Sequence, residues 1–152
     1  MDWEAIGAVG EILGAIGVIA TLVYLAAQIR QNTKATKVAN YNESMHHMTA
    51  MMTHITKDEE ISRIWRLGRE GSEELSHEDK ERYANLLITY FNHIQAEFLS
   101  FREDMCDRTV WEAQARETVD FLGFPGVSFV WEAESNHLDQ LFVRYIEDLR
   151  KA

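Results

Sequence analysis

The side chains that could do chemistry are concentrated in a few places along the chain. Residues 45–54 read Met-His-His-Met-Thr-Ala-Met-Met-Thr-His, four Met and three His in ten positions. Wound as a helix, this stretch puts His47, Met51 and His54 on one face and Met45, Met48 and Met52 on another. Thioether and imidazole donors together would suit Cu(I), which prefers soft ligands. Met at helical spacing is more commonly adaptable core filling. Two Glu-x-x-His pairs, Glu43–His46 and Glu134–His137, repeat the motif of the di-iron site in ferritin-like bundles, which also needs one Glu from each of two further helices. Glu97, with Glu112 or Glu117, could supply those carboxylates. Six His among 25 acidic residues produce such pairs by chance as well, so neither pattern assigns a metal.

Other chemistry is excluded more firmly. Cys106 is the only cysteine, which rules out an internal disulfide and a Cys-based zinc site within one copy. It lies between Asp104 and Asp107, where negative charge disfavours a reactive thiolate. Phosphate-binding loops, dinucleotide fingerprints, zincin motifs and nucleophile elbows are all missing. No catalytic residue and no cofactor is expected.

The elements that would position these residues begin with an apolar N-terminal run. From Ala5 to Ala27 the one charged residue is Glu11, and Ile12–Ala27 reads ILGAIGVIATLVYLAA. A helix of that length spans about 34 Å, enough for a hydrocarbon core of roughly 30 Å. A buried helix of a soluble domain is the plainer alternative, but it would show a polar face over such a length. A secretory leader would need a basic start, and Met1, Asp2, Trp3 and Glu4 offer two acids and no base. All 15 basic residues lie at or after position 30, with Arg30, Lys34 and Lys37 directly behind the span. The positive-inside rule therefore puts the N-terminus outside and residues 29–152 in the cytoplasm. Trp3 and Tyr24 suit the two interfaces.

Within this span Gly7, Gly10, Gly14, Gly17 and Thr21 step by three and four residues, a heptad seam of small side chains. Helices in lipid associate by close backbone approach along such faces. Val9, Ile12, Ile16, Ile19 and Val23 lie opposite, suited to lipid. Beyond the membrane the same phase continues through Gln28 and Gln31. Glu11 borders the seam, and an ionisable group in hydrocarbon faces protein or a wet cavity by default. It reads as a side chain hydrogen-bonded to a neighbouring helix, or as one member of a carboxylate ring in an oligomeric ion or proton pathway.

The whole chain has 152 residues and a net charge of −10, which argues against nucleic acid as a partner. Three of the 25 acids precede residue 29, leaving 22 against 15 bases beyond it, a net −7. That portion reads as helix throughout. The first helix continues without Pro or Gly to about Ile55. Thr56-Lys-Asp-Glu59 predicts a capping box for a short helix bearing Ile61, Ile64 and Trp65, and Gly68 and Gly71 predict a loop. Ser76-His-Glu-Asp79 opens the strongest helix, which runs to about Arg102 with Tyr83, Leu87, Tyr90, Phe91, Ile94, Phe98 and Phe101 in one apolar stripe. Thr109-Val-Trp-Glu112 predicts a further box for a helix ending at Gly123. Pro125 fits the first turn of the next helix. Asn136-His-Leu-Asp139 predicts the start of a last one carrying Leu138, Leu141, Phe142, Tyr145, Ile146 and Leu149. The aromatic residues Trp111, Phe121, Phe124, Phe129 and Trp131 read as core rather than a ligand pocket, or as an apolar surface for a partner. The expected fold is all-α: an anchor over residues 1–28 continuing into a small helical bundle over 29–152.

The opening DWEAIGAVGEILGAIGVIATLVYLAAQIRQNTKA resembles the start of a family of small, mostly uncharacterised bacterial inner-membrane proteins. The resemblance is sharpest over residues 2–35, in Val9-Gly-Glu-Ile-Leu-Gly-Ala-Ile16 and Gln28-Ile-Arg-Gln-Asn-Thr33, and weaker over Phe124–Trp131 with its Pro-Gly and Trp. It implies one transmembrane helix, a helical cytoplasmic domain and residence in the inner membrane, and it carries over no catalytic residue. The reading that results is a non-enzymatic membrane protein, with lipid and either copies of itself or a larger membrane complex as partners. A Glu11 channel and a carboxylate/histidine metal site in the bundle are the alternatives.

Overall fold

Helix boundaries in this chain follow its short polar side chains more than its glycines. The computed structural model describes residues 3–152. Met1 and Asp2 of the acidic flank lie outside the described residues, as does the side chain of Glu4. Among the described residues all regular structure is helical: α1 (Trp3–Lys57), α2 (Glu59–Arg69), α3 (His77–Arg102), α4 (Arg108–Phe121), α5 (Pro125–Glu134), a 3₁₀ turn (Ser135–His137) and α6 (Gln140–Lys151). The all-α expectation holds.

Three predicted starts are displaced by a few residues, each to an aspartate. Asp58 begins α2 by accepting the Ile61 amide at 3.0 Å. Thr56 is still inside α1, where its hydroxyl donates to the Met52 carbonyl at 2.9 Å. Asp107 begins α4, taking the Thr109 amide at 2.9 Å and its hydroxyl at 2.6 Å. Asp139 begins α6 by accepting the amides of Leu141 and Phe142 at 2.8 and 3.0 Å. A carboxylate satisfies the orphan amides and also meets the positive end of the helix dipole, so it outcompetes a nearby Thr or Asn. Ser76, with no aspartate ahead of it, caps α3 where predicted, at 3.1 Å from the Asp79 amide.

The chain divides into two compact units, residues 1–39 and 40–152. In the first, every described side chain from Ile6 to Thr36 is exposed. An 18-residue window of α1 has mean hydropathy 2.2 and none of it is buried, so this helix is long and apolar enough to cross a membrane. A core helix of a soluble fold would hide such a stripe against its own chain.

The second unit has a core of its own. The α3 stripe is buried as predicted at Tyr83, Leu87, Tyr90, Phe91, Ile94 and Phe98, with Phe101 partly so. Aromatic rings connect the helices: Phe91 to Trp131 at 5.1 Å, Trp131 to Phe142 at 5.9 Å, Phe98 to Trp111 at 5.4 Å. Two of the polar groups drawn into this core are partnered across helices. The Tyr90 hydroxyl meets Thr118 Oγ1 at 3.3 Å, and Trp131 Nε1 donates to Glu147 at 2.8 Å. Met48 and Met51 attach the end of α1 to the same side chains, and Ile55, one turn after Met51, is buried as well. Of the residues read as core, Leu141, Phe124 and Phe129 stand in solvent instead, Phe129 at 74% exposure.

Gly68 corrects the predicted loop. It is a buried residue within α2, and Gly71 alone, at φ +70°, makes the turn. A Cβ at Gly68 would run into the Tyr83 ring, and one at Gly126 into the Gly68 carbonyl. The two glycines thus allow α2 and α5 to cross backbone against backbone. Gly126→Ala would press on rigid backbone and is expected to cost about 2–3 kcal/mol. Gly71→Ala, strained only by its positive φ, should cost about 1 kcal/mol. Chemical denaturation followed by near-UV circular dichroism of the buried tryptophans gives the ranking, and a Gly126→Ala protein as stable as the parent would contradict this packing.

Candidate functional site

Two places bring chemically capable groups together, one in each unit. In the first, α1 presents Gly7, Gly10, Gly14 and Gly17 with nothing within 4 Å of where a Cβ would stand. Thr21 completes the seam and donates its hydroxyl to the Gly17 carbonyl at 2.8 Å, so its polar atom is satisfied within the helix. The face is low, apolar and open, which is what backbone-to-backbone helix association requires. Glu11 is exposed beside it, with no ion pair or hydrogen bond among the described residues.

The candidate metal ligands are not gathered. Met51 packs on the core, whereas His47 points away from it, its side chain 71% exposed and 3.9 Å from Glu43. His54 instead shares an open surface groove with His46, Thr49 and Thr53. Burial of one face of α1 splits the set that a bare helical wheel joins. Glu43 pairs with His47 rather than His46, while Glu134 does meet His137, at 3.2 Å on the exposed end of α5. Glu97 lies near His93 on α3, Glu112 holds Arg108 at 2.7 Å, and Glu117 is exposed on α4. Among the described residues no three His, Cys, Asp or Glu stand close enough to hold a metal ion. Cys106 is half-buried, its thiol 3.5 Å from the Asp107 carbonyl.

The second place escapes sequence reading altogether. Ser44 Oγ of α1 and His93 Nε2 of α3 are 3.2 Å apart and partly buried. A hydroxyl beside an imidazole at this distance is the start of a nucleophile–base pair. Catalysis would further require donors aimed at a developing oxyanion. Ser44 sits within α1, where neighbouring amides are committed to intrahelical hydrogen bonds. The pair therefore acts as a polar clamp between α1 and α3. Burial holds the imidazole below its ordinary value of 6.5; the Glu97 charge opposes that and His47 adds to it. The two residues are 49 apart in sequence, so no local spacing announces them.

Set against protein-family models, curated proteins and solved structures, the chain matches none of them.

The clamp has a pH signature. An unfolded histidine takes its proton near 6.5, whereas folded His93 does so only at lower pH. Stability is then fully present above that value and lost as pH falls through the interval beneath it. Asp79, held low by its hydrogen bond to Arg63, and Glu73, held low by Lys80, act only below their ordinary 3.8 and 4.5. Unfolding free energy measured from pH 7.5 to 5 should slope downward for the parent and flatten for His93→Gln. Parallel curves would show that the clamp does not behave this way.

Proposed function

We propose that this chain is a membrane-anchored helical assembly protein without enzymatic activity. In this reading the apolar part of α1 spans the bacterial inner membrane with its N-terminus outside, and residues 29–152 form the cytoplasmic body. Assembly, with further copies or with subunits of a larger membrane complex, proceeds through Gly7, Gly10, Gly14, Gly17 and Thr21. The observation that carries this is the small-residue face of α1, apolar, exposed and uncovered by anything in its own unit. Orientation is argued from Arg30, Lys34 and Lys37 behind the span. Residence in the inner membrane follows from the resemblance of residues 2–35.

Glu11 favours a second reading. A carboxylate in a hydrophobic span costs about 2.5–3.5 kcal/mol at the centre on insertion scales, less toward the ends, and such groups mark interfaces or ion paths. Beside Gly10 and unpartnered among the described residues, it would be brought close to its own copies by any association along the seam.

Replacing Gly10 and Gly14 together with Ile should reduce the complex to monomers in native mass measurements from mild detergent. An unchanged mass would remove the assembly reading. Glu11→Gln should abolish proton or cation flux into liposomes if the carboxylate ring conducts. Under the assembly reading neither the parent nor the variant conducts.

A further inference from the structure

The last part of α1, within the second unit, is two-faced. Ser44 meets His93, Met48 and Met51 pack on the core, and Ile55 is buried. Tyr41, Met45 and Met52 are exposed instead, at steps of four and seven residues, with the exposed Asn42 and Thr49 beside them. One apolar side chain in solvent is ordinary. A row of three large ones, on a helix already packed by another face, marks a surface for another chain.

The spacing identifies that chain. Counted in sequence from Gly10, every seventh residue is Gly17, Tyr24, Gln31, Val38, Met45 and Met52, and the same count from Gly7 reaches Asn42 and Thr49. The charged residues from Gln28 onward in α1 (Arg30, Lys34, Lys37, Glu43 and Lys57) all fall at other positions. A seven-residue repeat is the spacing of helices that coil about one another, and Gln28 to Met52 carries it for between three and four repeats, enough to specify such a pair. Copies inserted in a membrane the same way round lie parallel, so each position meets its own counterpart. A neutral row then meets a neutral row without like-charge repulsion. Asn42 meets Asn42, the amide pairing that favours two parallel strands in register. An unrelated partner would have to supply both the spacing and the matching amide, whereas a second copy supplies them by symmetry.

We propose that Asn42, Met45, Thr49 and Met52 form a parallel two-stranded coiled-coil contact with a second copy of this chain. Half of the row from Gln28 to Met52 is polar, so the coil is weak by itself. The contact therefore rests on the proposed association of the membrane span along its glycines, which holds two copies at high effective concentration. It fixes the partner as one more copy and adds an interface outside the lipid.

Disulfide trapping with copper phenanthroline in isolated membranes tests this, on the full chain carrying Cys106→Ser so that each introduced thiol is the only one. Met45→Cys and Thr49→Cys should give linked dimer about tenfold above His47→Cys, because thiols whose Cα atoms stand more than about 7 Å apart do not bridge. His47 is exposed too, on another side of the helix, so it reports chance collisions. Thr21→Cys reports the membrane seam separately. Linking at Thr21→Cys, with Met45→Cys and Thr49→Cys no higher than His47→Cys, would overturn this contact and leave the membrane assembly standing. Linking at none of the four positions would overturn both.

Discussion

The structure depends on a solvent constraint at one end of one helix. Backbone polar groups in hydrocarbon must be satisfied within the element that carries them, which an unbroken helix achieves. α1 is unbroken from Trp3 onward, and the described side chains of its apolar stretch, residues 6–27, are all exposed in its own unit. In water such a surface would be an aggregation hazard, whereas in lipid it is at its solvent optimum. Under the proposed reading the glycines take on their meaning, because between helices in lipid only close approach and polar contacts remain to favour association.

The remainder of the chain obeys the ordinary rule for water. One face of α3 supplies the largest share of the core, and α4, α5 and α6 close over it through Trp111, Trp131 and Phe142. Stability there rests on aromatic burial, in which truncating one such ring to Ala costs about 3–5 kcal/mol. The crossing of α2 and α5 is the tightest point, made by two glycines with no room for a methyl group. That crossing also forms part of the wall of a cavity beside Tyr83.

Much of this was legible in the sequence where the signal is local. The seven-residue stripe of α3 is periodic, and its burial followed from that periodicity alone. The uncharged run after Glu11 likewise identified the helix that could cross a membrane. What the sequence concealed was pairwise and distant. Gly68 looks like a helix breaker until Gly126, 58 positions later, is seen to need its bare backbone. Ser44 and His93 carry no shared motif. The Met/His segment shows the converse, since helical spacing made His47, Met51 and His54 a set and packing of Met51 on the core dissolved it. The Thr-x-x-Glu and Asn-x-x-Asp patterns misplace three helix starts by two or three residues because an aspartate beside each takes the cap.

The central claim is that the first part of α1 lives in lipid, and extraction of native membranes at pH 11 addresses it most directly. Alkaline carbonate strips proteins held by charge or by a partner while leaving spanning helices in the bilayer. The full chain should remain wholly with the sedimented membrane and leave it only when detergent is added. Its appearance in the alkaline supernatant, as an intact chain, would contradict the account at its root.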